Sequence, residues 1–505
     1  MPPPMPPPMP PGIEPGEPDP IDDLIRSAGV RRRPSAMDEP DPIDDLIQSA
    51  GIRRRPSALD ALDAREAESG SRLMASAAPS ENVLQAQGWA RAISVAIAVL
   101  AMAGLLTDIV AASQLLADSG PGALAVVWPL GAVGMLVVAA LLMKYVDRFP
   151  RLSVLVVLCV GYGVAFAITL ALFATSLPRS VPAALVWLLA DQLIFLLPLV
   201  MWSLAGDVFT AGQATTVYPK ISRWMFVGQF IGLVIATTSP WWFEPLGLDL
   251  TWLLLIPSVA CLSVAALLPR ALRSSSASAG HGQSMSIVSA VRDTTELVRD
   301  LPAFSWLLKV SFVVMLAGAL IEFASFDVFA ERFDSAGTLE SVYAGASLVI
   351  FVASWLVQRF VTPRLLNQRG VAAALVVLPV ATAAGAAVLV IGGALMNVVV
   401  ALVGLSLWRV VRKSLDASAR QTAMATLPDE RRTRSSFLID LMPLSVGYLV
   451  FAPIAAFGLS LDLLWFAPVV ALAFAVIAIV TSRRIIETWD TTQLSYRLKR
   501  RRRMG

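Results

Sequence analysis

From residue 89 onward, the chain is a succession of apolar runs separated by short polar connections. A run of about 20 apolar residues is long enough to cross a bilayer as an α-helix. Helices satisfy all their backbone hydrogen bonds internally, as lipid requires. The runs therefore predict an all-α polytopic membrane protein with twelve spans, at residues 92–112, 121–143, 152–175, 183–208, 219–237, 250–269, 302–328, 340–361, 371–393, 395–416, 434–456 and 461–482.

The composition excludes an ordinary soluble enzyme, because only 15% of residues are charged and 56% are hydrophobic, against about 25% charged in soluble domains. The sequence has no Walker motif, dinucleotide-binding loop, zinc-ligand spacing or nucleophile elbow. Its one histidine, His281, lies in a Ser/Gly-rich stretch. We therefore expect no enzymatic activity, no cofactor, no metal site and no nucleic acid partner. Cys159 and Cys261 lie in apolar runs and are expected to be buried free thiols.

Basic residues collect in alternate connections, whereas the connections between them are short and poor in Lys and Arg. Because cytoplasmic loops carry the excess of basic residues, this alternation predicts cytoplasmic termini and an inner or plasma membrane location. A polar linker divides the spans into six and six. The predicted divisions are a tail at 1–88, a first half at 89–270, a linker at 271–301, a second half at 302–484 and a basic tail at 485–505, which we place near anionic lipid.

The first 88 residues are predicted to be a disordered cytoplasmic tail that begins with a proline-rich run. A 22-residue motif then occurs twice, as PDPIDDLIRSAGVRRRPSA at 18–36 and PDPIDDLIQSAGIRRRPSA at 40–58. The pattern of each copy predicts a short amphipathic helix, which is too short to be stable alone in water. We interpret the pair as a docking motif for a cytoplasmic protein or for the chain's own body; a neutral duplication is the alternative. The docking residues would be Ile21, Leu24, Ile25, Ile43, Leu46 and Ile47.

Both copies end in Arg-Arg-Pro-Ser, the pattern typical of basophilic kinase sites. Ser35 and Ser57 would be the phosphate acceptors. A phosphate there would change the charge of the adjacent arginine cluster, so regulation of the tail is a further alternative.

The connection between the second and third spans reads KYVDRFPR, residues 144–151. It resembles the loop motif of the major facilitator superfamily, G-x-x-x-D-R-x-G-R-R, with matches at Asp147, Arg148 and Arg151. Met143 and Pro150 stand where glycines are usual. The resemblance implies a fold of two six-helix halves that rock about a central site. It also implies that the three matching residues form a charge lock that stabilises one transport state.

Two longer stretches resemble the ATP/ADP translocase branch, the bacterial and plastid nucleotide transporters and their relatives. They are WSLAGDVFTAGQATTVYPKISRWMFVGQFIG at 202–232 and RKSLDASARQTAMATLPDERRTRSSFLID at 412–440. Nucleotide exchangers are expected to carry basic residues in their early spans to meet phosphates. Here the first span has none beyond Arg91, and the second has none before Lys144. The resemblance therefore implies the fold more strongly than nucleotide exchange.

Ionisable and amide side chains inside the spans are costly to bury, so they are candidates for a solute or ion pathway. Asp191 stands about 12 Å inside its span at 1.5 Å per residue, too deep for a short carboxylate to reach water without a cavity. Lys309 has a stem long enough to reach the membrane surface. Asp108, Glu322 and Asp327 fall near the outer ends, where we expect solvation. The candidate residues are Asp191, Gln192, Gln229, Lys309, Arg409 and Asp440.

The sequence predicts a secondary transporter that moves a small polar or anionic solute by alternating access. The alternative is a membrane scaffold or receptor of the same fold that recruits a partner through the duplicated tail motif. A lipid flippase-like activity is a third interpretation.

Overall fold

A computed structural model of the chain describes residues 81–145, 149–209, 211–272, 301–333, 335–392, 397–424, 439, 441–460 and 465–504. The chain divides into two units, residues 1–80 and 81–505. The predicted docking residues and both predicted phosphorylation sites belong to the first unit and lie outside the described residues.

The described residues are helical and contain no β-strand. We number the longer helices in chain order. They are α1 Glu81–Ser119, α2 Leu124–Tyr145, α3 Arg151–Phe173, α4 Ser180–Val208, α5 Ala211–Phe243, α6 Leu255–Ala271, α7 Pro302–Arg332, α8 Ala336–Leu356, α9 Thr362–Gly392, α10 (Val398–Val411, Arg412–Asp416 and Ala417–Met424 together), α11 Met442–Ser460 and α12 Phe466–Met504. Short 3₁₀ turns occupy Pro121–Ala123, Glu244–Leu246 and Leu250–Leu254.

Two five-residue π-helical turns occur among the described residues. Val357–Val361 joins α8 to α9, and Arg412–Asp416 interrupts α10. Helix α9 has two parts. Its first part ends at Gly370, which has a φ of 78°. Glycine adopts this conformation without the steric cost that a Cβ would bring. The chain therefore changes direction at Gly370, and the second part of α9, which is apolar, begins after it.

Ten segments of the described residues are long and apolar enough to cross a membrane. One of them, Ala336–Gly392, has 57 residues and contains α8 and α9 with the break at Gly370 between them. Helix α10 is not among the ten; its first segment, Val398–Val411, has 14 residues. The ten segments establish an integral multi-pass membrane protein, and the count of twelve spans stays a prediction.

The ends of the body differ from those predicted. Helix α1 begins at Glu81, inside the predicted 1–88 tail, and α12 continues to Met504 through the predicted basic tail at 485–505. Residues 273–300 of the predicted linker lie outside the described residues. Apolar periodicity marks the lipid-crossing part of a helix, and polar turns added at either end leave no hydropathy signal.

Helices α1–α6 form what we call the first half and α7–α12 the second half. Within the first half, α1 packs along α5 at very short range. A Cβ added to Gly228 would lie 2.0 Å from the Ala98 carbonyl oxygen, and one added to Gly232 would lie 2.6 Å from that of Met102. Small residues that let two helix backbones approach are the usual basis of packing in membranes. This contact fixes α5 against the centre of the first half.

The connections α1–α2, α5–α6 and α7–α8 meet at one end of the bundle, which we call the α1–α2 side. A Cβ at Gly337 would lie 3.3 Å from Oε1 of Glu244, and Arg179 pairs with Asp249 at 3.1 Å. Exposed tryptophans Trp241 and Trp252 stand near this end, as expected at a membrane–water interface. The opposite end, where α3 begins and α4 ends, is the α2–α3 side.

Candidate functional site

An ion pair inside the second half is the centre of the candidate site. Arg409 of α10 donates from Nε to Oε1 of Glu322 on α7 at 2.7 Å, and from Nη2 to the Tyr343 hydroxyl on α8 at 3.1 Å. The side chains of Arg409 and Glu322 are only 12% and 9% exposed. Three helices are therefore joined by one buried guanidinium, whose fork suits several fixed acceptors.

The first half adds two carboxyl groups to this pair. Asp108 of α1 lies within electrostatic reach of Arg409, Glu322 and Lys413. Asp191 of α4 lies within reach of Asp108 and Glu322. Together with Lys413 of α10 they form what we call the charged cluster, whose five members are Asp108, Asp191, Glu322, Arg409 and Lys413. It carries three acidic and two basic groups and draws on both halves of the fold.

Asp191 is the cluster member with the least satisfied side chain. It is 9% exposed, and its Oδ2 has no hydrogen-bond partner within the described part of the chain. The Trp187 side chain, one turn earlier on α4, lies close to this carboxyl group. A Cβ at Gly131 would lie 3.0 Å from Oδ2, so the glycine leaves this oxygen room. A buried polar atom without a partner is rare in folded proteins, which makes Oδ2 of Asp191 a candidate to bind a polar group of a solute.

A cavity of about 660 Å³ opens between the halves toward the α2–α3 side. It is lined by residues of α4 in the first half and, in the second half, by residues of α7, α10 and α11 together with Ile439 and Leu441 just before α11. These residues are Phe195, Leu196, Pro198, Leu199, Trp202, Ser311, Met315, Arg412, Asp416, Ala417, Arg420, Gln421, Met424, Ile439, Leu441, Pro443 and Leu444.

The charged cluster lies at the closed end of this cavity. On α4, Asp191 is one turn beyond the cavity-lining Phe195, and on α7, Glu322 is two turns beyond Met315. On α10, Arg409 is three residues beyond Arg412. At 1.5 Å per residue, the charged groups begin about 5–10 Å past the lining residues. A solute entering the cavity would meet them last.

Beyond the cluster, toward the α1–α2 side, aromatic rings close the space between the halves. Trp128 of α2 lies 5.1 Å from Tyr448 and 4.9 Å from Phe451 of α11, measured between ring centroids. Trp187 of α4 lies 6.3 Å from Phe326 of α7. The structure is therefore sealed on one side of the cluster and holds a cavity on the other.

The π-helical turn Arg412–Asp416 shapes the α10 wall of the cavity. Its Lys413 is exposed although it lies within electrostatic reach of Asp108, Glu322 and Arg409. Its Asp416 accepts from Nε of Arg420 at 2.6 Å, and Arg420 also donates to Ser311 of α7 at 2.7 Å. Turns of this type occur often at functional sites, because they change which side chains face the interior.

The other predicted pathway residues are dispersed. Lys309 is exposed and lies over the Trp306 ring at 4.1 Å, away from the cluster. Gln192 accepts from the Tyr162 hydroxyl at 2.9 Å and so ties α4 to α3. Gln229 is half-buried beside Gly228. Asp440 lies outside the described residues.

The predicted charge lock is described in part. Arg151 donates from Nη1 to Asp207 Oδ1 at 2.6 Å and to the Ser203 carbonyl at 2.9 Å. It thus joins the start of α3 to the end of α4 within the first half. Asp147 and Arg148 lie outside the described residues.

The expectation of solvated acidic residues at the outer ends is wrong for Glu322 and Asp327, which are 7% and 5% exposed. Depth along a helix was judged from hydropathy alone, and helix α7 is longer than its predicted span. Lys413 is not among the sequence-predicted candidates, although it lies inside the predicted span 395–416. The recurrence of Arg409, Arg412 and Lys413 at three- and four-residue spacing on α10 was the available signal. Both cysteines are buried and free, as predicted.

No protein-family model and no curated protein matches this sequence. Solved structures do match it. A bacterial homologue of the iron transporter ferroportin in an inward-facing state aligns with a TM-score of 0.55 at 15% identity, covering 79% of this chain and 98% of that one. The nucleoside transporter NupG aligns with a TM-score of 0.56 at 14% identity, covering 79% and 99%. A POT family transporter aligns with a TM-score of 0.52 at 10% identity, covering 80% and 96%.

These likenesses show the fold. The body is an all-α, multi-pass membrane protein with the architecture of major facilitator-type transporters, as the sequence predicted. The neighbours differ in what they carry, so the solute has to be argued from this chain's own residues.

Proposed function

We propose that the protein is a secondary transporter that moves a small polar or anionic solute by alternating access. The observation that carries the proposal is the charged cluster at the closed end of a cavity between two halves. Because both halves contribute to the cluster, a rocking of one half against the other would expose the same groups to either side.

The charges of the cluster set the chemistry of the solute. Arg412 is half-buried in the cavity wall, and the neighbouring Lys413 belongs to the charged cluster, so the basic groups at this end of the cavity favour an anion. Asp191 offers an unpartnered acceptor oxygen for a hydroxyl, an amine or a cation. A solute with polar groups of both kinds would satisfy this set, whereas an apolar one would leave buried charges unpaired.

The predicted orientation in the membrane indicates which side the cavity faces. If the termini are cytoplasmic, the α2–α3 side faces the cytoplasm, and the structure is inward-facing. The basic residues Lys220 and Arg223 at the start of the fifth predicted span and Arg270 at the end of α6 support this orientation. The proposed charge lock of Asp147, Arg148 and Arg151 belongs to the same side.

The finer relationship, to the ATP/ADP translocase branch, stays a proposal. It is supported by the two stretches of sequence at 202–232 and 412–440. The structural neighbours support the general transporter fold and do not distinguish this branch. Nucleotides therefore belong in the first set of solutes to be tested, together with smaller anions.

The test is transport by the purified full-length protein in liposomes. A thermal-shift screen of solutes, including nucleotides, would choose the compounds for uptake assays. Asp191→Asn is expected to abolish uptake, because the amide cannot supply a second acceptor oxygen or a charge. Asp118→Asn is the matched control, since Asp118 is an exposed carboxylate at the end of α1, and it should transport normally.

The unfolding temperature of both variants separates loss of function from loss of fold. Normal uptake by a folded Asp191→Asn variant would refute the assignment of the site. The scaffold or receptor interpretation gains support if no solute is moved while the duplicated tail motif still recruits a partner.

A further inference from the structure

Glu340 is a completely buried carboxyl group outside the charged cluster. It lies near the start of α8 on the α1–α2 side and is 0% exposed. Its Oε1 is 2.8 Å from Oγ of Ser239 on α5, and its Oε2 is 3.4 Å from Oγ of Ser113 on α1. One side chain of the second half is thus enclosed by two helices of the first half, at the sealed end of the molecule.

The surrounding charges do not compensate an ionised Glu340. In the described residues it forms no ion pair, and its interactions are with the two serines. Helix α1 carries only acidic groups near this level, Asp108 and the exposed Asp118, and the chain after α5 carries Glu244. On α10, Arg409 is engaged by Glu322.

The remaining charged groups near this end belong to α7, which carries Asp327, Glu331 and Arg332 in its last turns. Arg332 is exposed and forms no ion pair with Glu340 in the described part of the chain. Burying a carboxylate without a neighbouring cation is strongly unfavourable, so the closed state disfavours the charged form.

The two serines are weak partners for a charged group. Ser239 donates to Oε1 of Glu340 at 2.8 Å and Ser113 donates to Oε2 at 3.4 Å, and each hydroxyl also lies 3.0 Å from a carbonyl oxygen of its own helix, that of Ala236 or Val110. A serine has one hydrogen to donate, so each hydrogen is shared between two acceptors. A neutral carboxylic acid needs less solvation than a carboxylate and therefore suits this enclosure better.

We propose that Glu340 is a proton-binding latch on the α1–α2 side, which must take up a proton before that side can close. The inference rests on the proposed alternating access. When the side is open, the carboxylate is hydrated; a proton from the solvent on that side converts it to the acid, which closure then buries. Reopening returns the proton to the same side, so the latch sets the balance of states and carries no net proton flux.

The sign of the pH dependence follows from this linkage. The closed state holds one more proton than the open state, so acid favours closure and alkali favours opening. The ratio of closed to open molecules then changes by up to tenfold per pH unit around the titration of the open state.

Cysteine labelling tests the latch without any solute. The background is the full chain with Cys159→Ala and Cys261→Ala. The reporter is Ser341→Cys, because Ser341 is half-buried and donates to the Thr237 carbonyl of the first half at 3.4 Å. The maleimide labelling rate in lipid nanodiscs is measured from about pH 5 to 9 and divided by that of Ser119→Cys, an exposed site. This division removes the pH dependence of the thiol itself.

The expected result is a relative labelling rate that is low in acid and rises several-fold in alkali. Glu340→Gln should label slowly at every pH, because the amide is always neutral. Ser239→Ala keeps the carboxyl group but removes its 2.8 Å hydrogen-bond partner in the closed state, and should move the rise to lower pH. An unchanged pH curve in Glu340→Gln, or a flat curve in the parent, would overturn the proposal.

Two controls protect this test. Asp249→Asn removes a carboxylate on the same side, in an exposed pair with Arg179, and should leave the curve unchanged; a flat curve in this variant would also overturn the proposal. Glu340→Asp should keep a pH-dependent curve if Glu340→Gln fails to fold. Liposome uptake is a separate measurement, so failure of the latch and failure of the transport proposal are distinguishable.

Discussion

In the ion pair between Arg409 and Glu322, replacing the arginine should destabilise the protein more than replacing the glutamate. Replacing Arg409 by Met leaves Glu322 buried, with Asp108 and Asp191 within electrostatic reach and only Lys413 to offset them. Removing one partner of a buried pair costs about 3–5 kcal/mol in the free energy of unfolding. Both side chains are almost fully buried, so solvent screening takes little from this value. We expect Arg409→Met to lie at its upper end.

Replacing Glu322 by Gln should cost less. The amide oxygen can still accept from Arg409 Nε at the observed 2.7 Å, and Asp108 remains to balance the guanidinium. The loss is then that of converting an ion pair to a hydrogen bond with one charged partner, about 1–2 kcal/mol. The difference of about 3–4 kcal/mol corresponds to a factor of roughly 10²–10³ in the unfolding equilibrium constant, at 1.36 kcal/mol per tenfold. The double variant should be more stable than Arg409→Met alone.

Equilibrium unfolding in mixed micelles, followed by circular dichroism, measures these differences. Arg179→Met is the matched control, because the pair of Arg179 with Asp249 is exposed, 59% and 37%, and is expected to contribute less than about 1 kcal/mol. If Glu322→Gln proves as costly as Arg409→Met, or if the double variant is the least stable, the argument from uncompensated carboxylates is wrong.

Two further predictions concern packing and the tail. Gly228→Ala should destabilise the protein by about 1–3 kcal/mol, because its Cβ would lie 2.0 Å from the Ala98 carbonyl oxygen; Gly161→Ala, with nothing within 4 Å, should be neutral in the same unfolding assay. Deletion of residues 1–60 should remove a partner captured through the duplicated motif and leave liposome uptake intact; loss of both would contradict a modular tail.

The resemblance at KYVDRFPR predicted the fold correctly, although no sequence comparison identifies a relative. Hydropathy constrains membrane proteins strongly, because lipid leaves the backbone few alternatives. Of the candidate residues, Arg409 and Asp191 stand in the charged cluster, whereas Lys309 lies apart from it. Whether the cluster binds a solute stays a prediction until transport is measured.

The sequence could not show how deeply the charged side chains are buried or which groups they contact. Glu322 and Asp108 were assigned to solvated helix ends, since hydropathy reports where a span lies and not which face of a helix meets another. Glu340 carried no sequence signal, because its enclosure depends on Ser113 and Ser239, which are 227 and 101 residues away along the chain.

The sequence by itself therefore determined the class of molecule: a multi-pass helical body, an apolar surface for lipid and a basic excess in alternate connections. These properties are sums over local residues, so they can be read along the chain. Only the tertiary structure decided which charges are buried together, which side is sealed and where the cavity opens. Those properties depend on contacts between distant helices, and a carboxyl group's role follows from what encloses it.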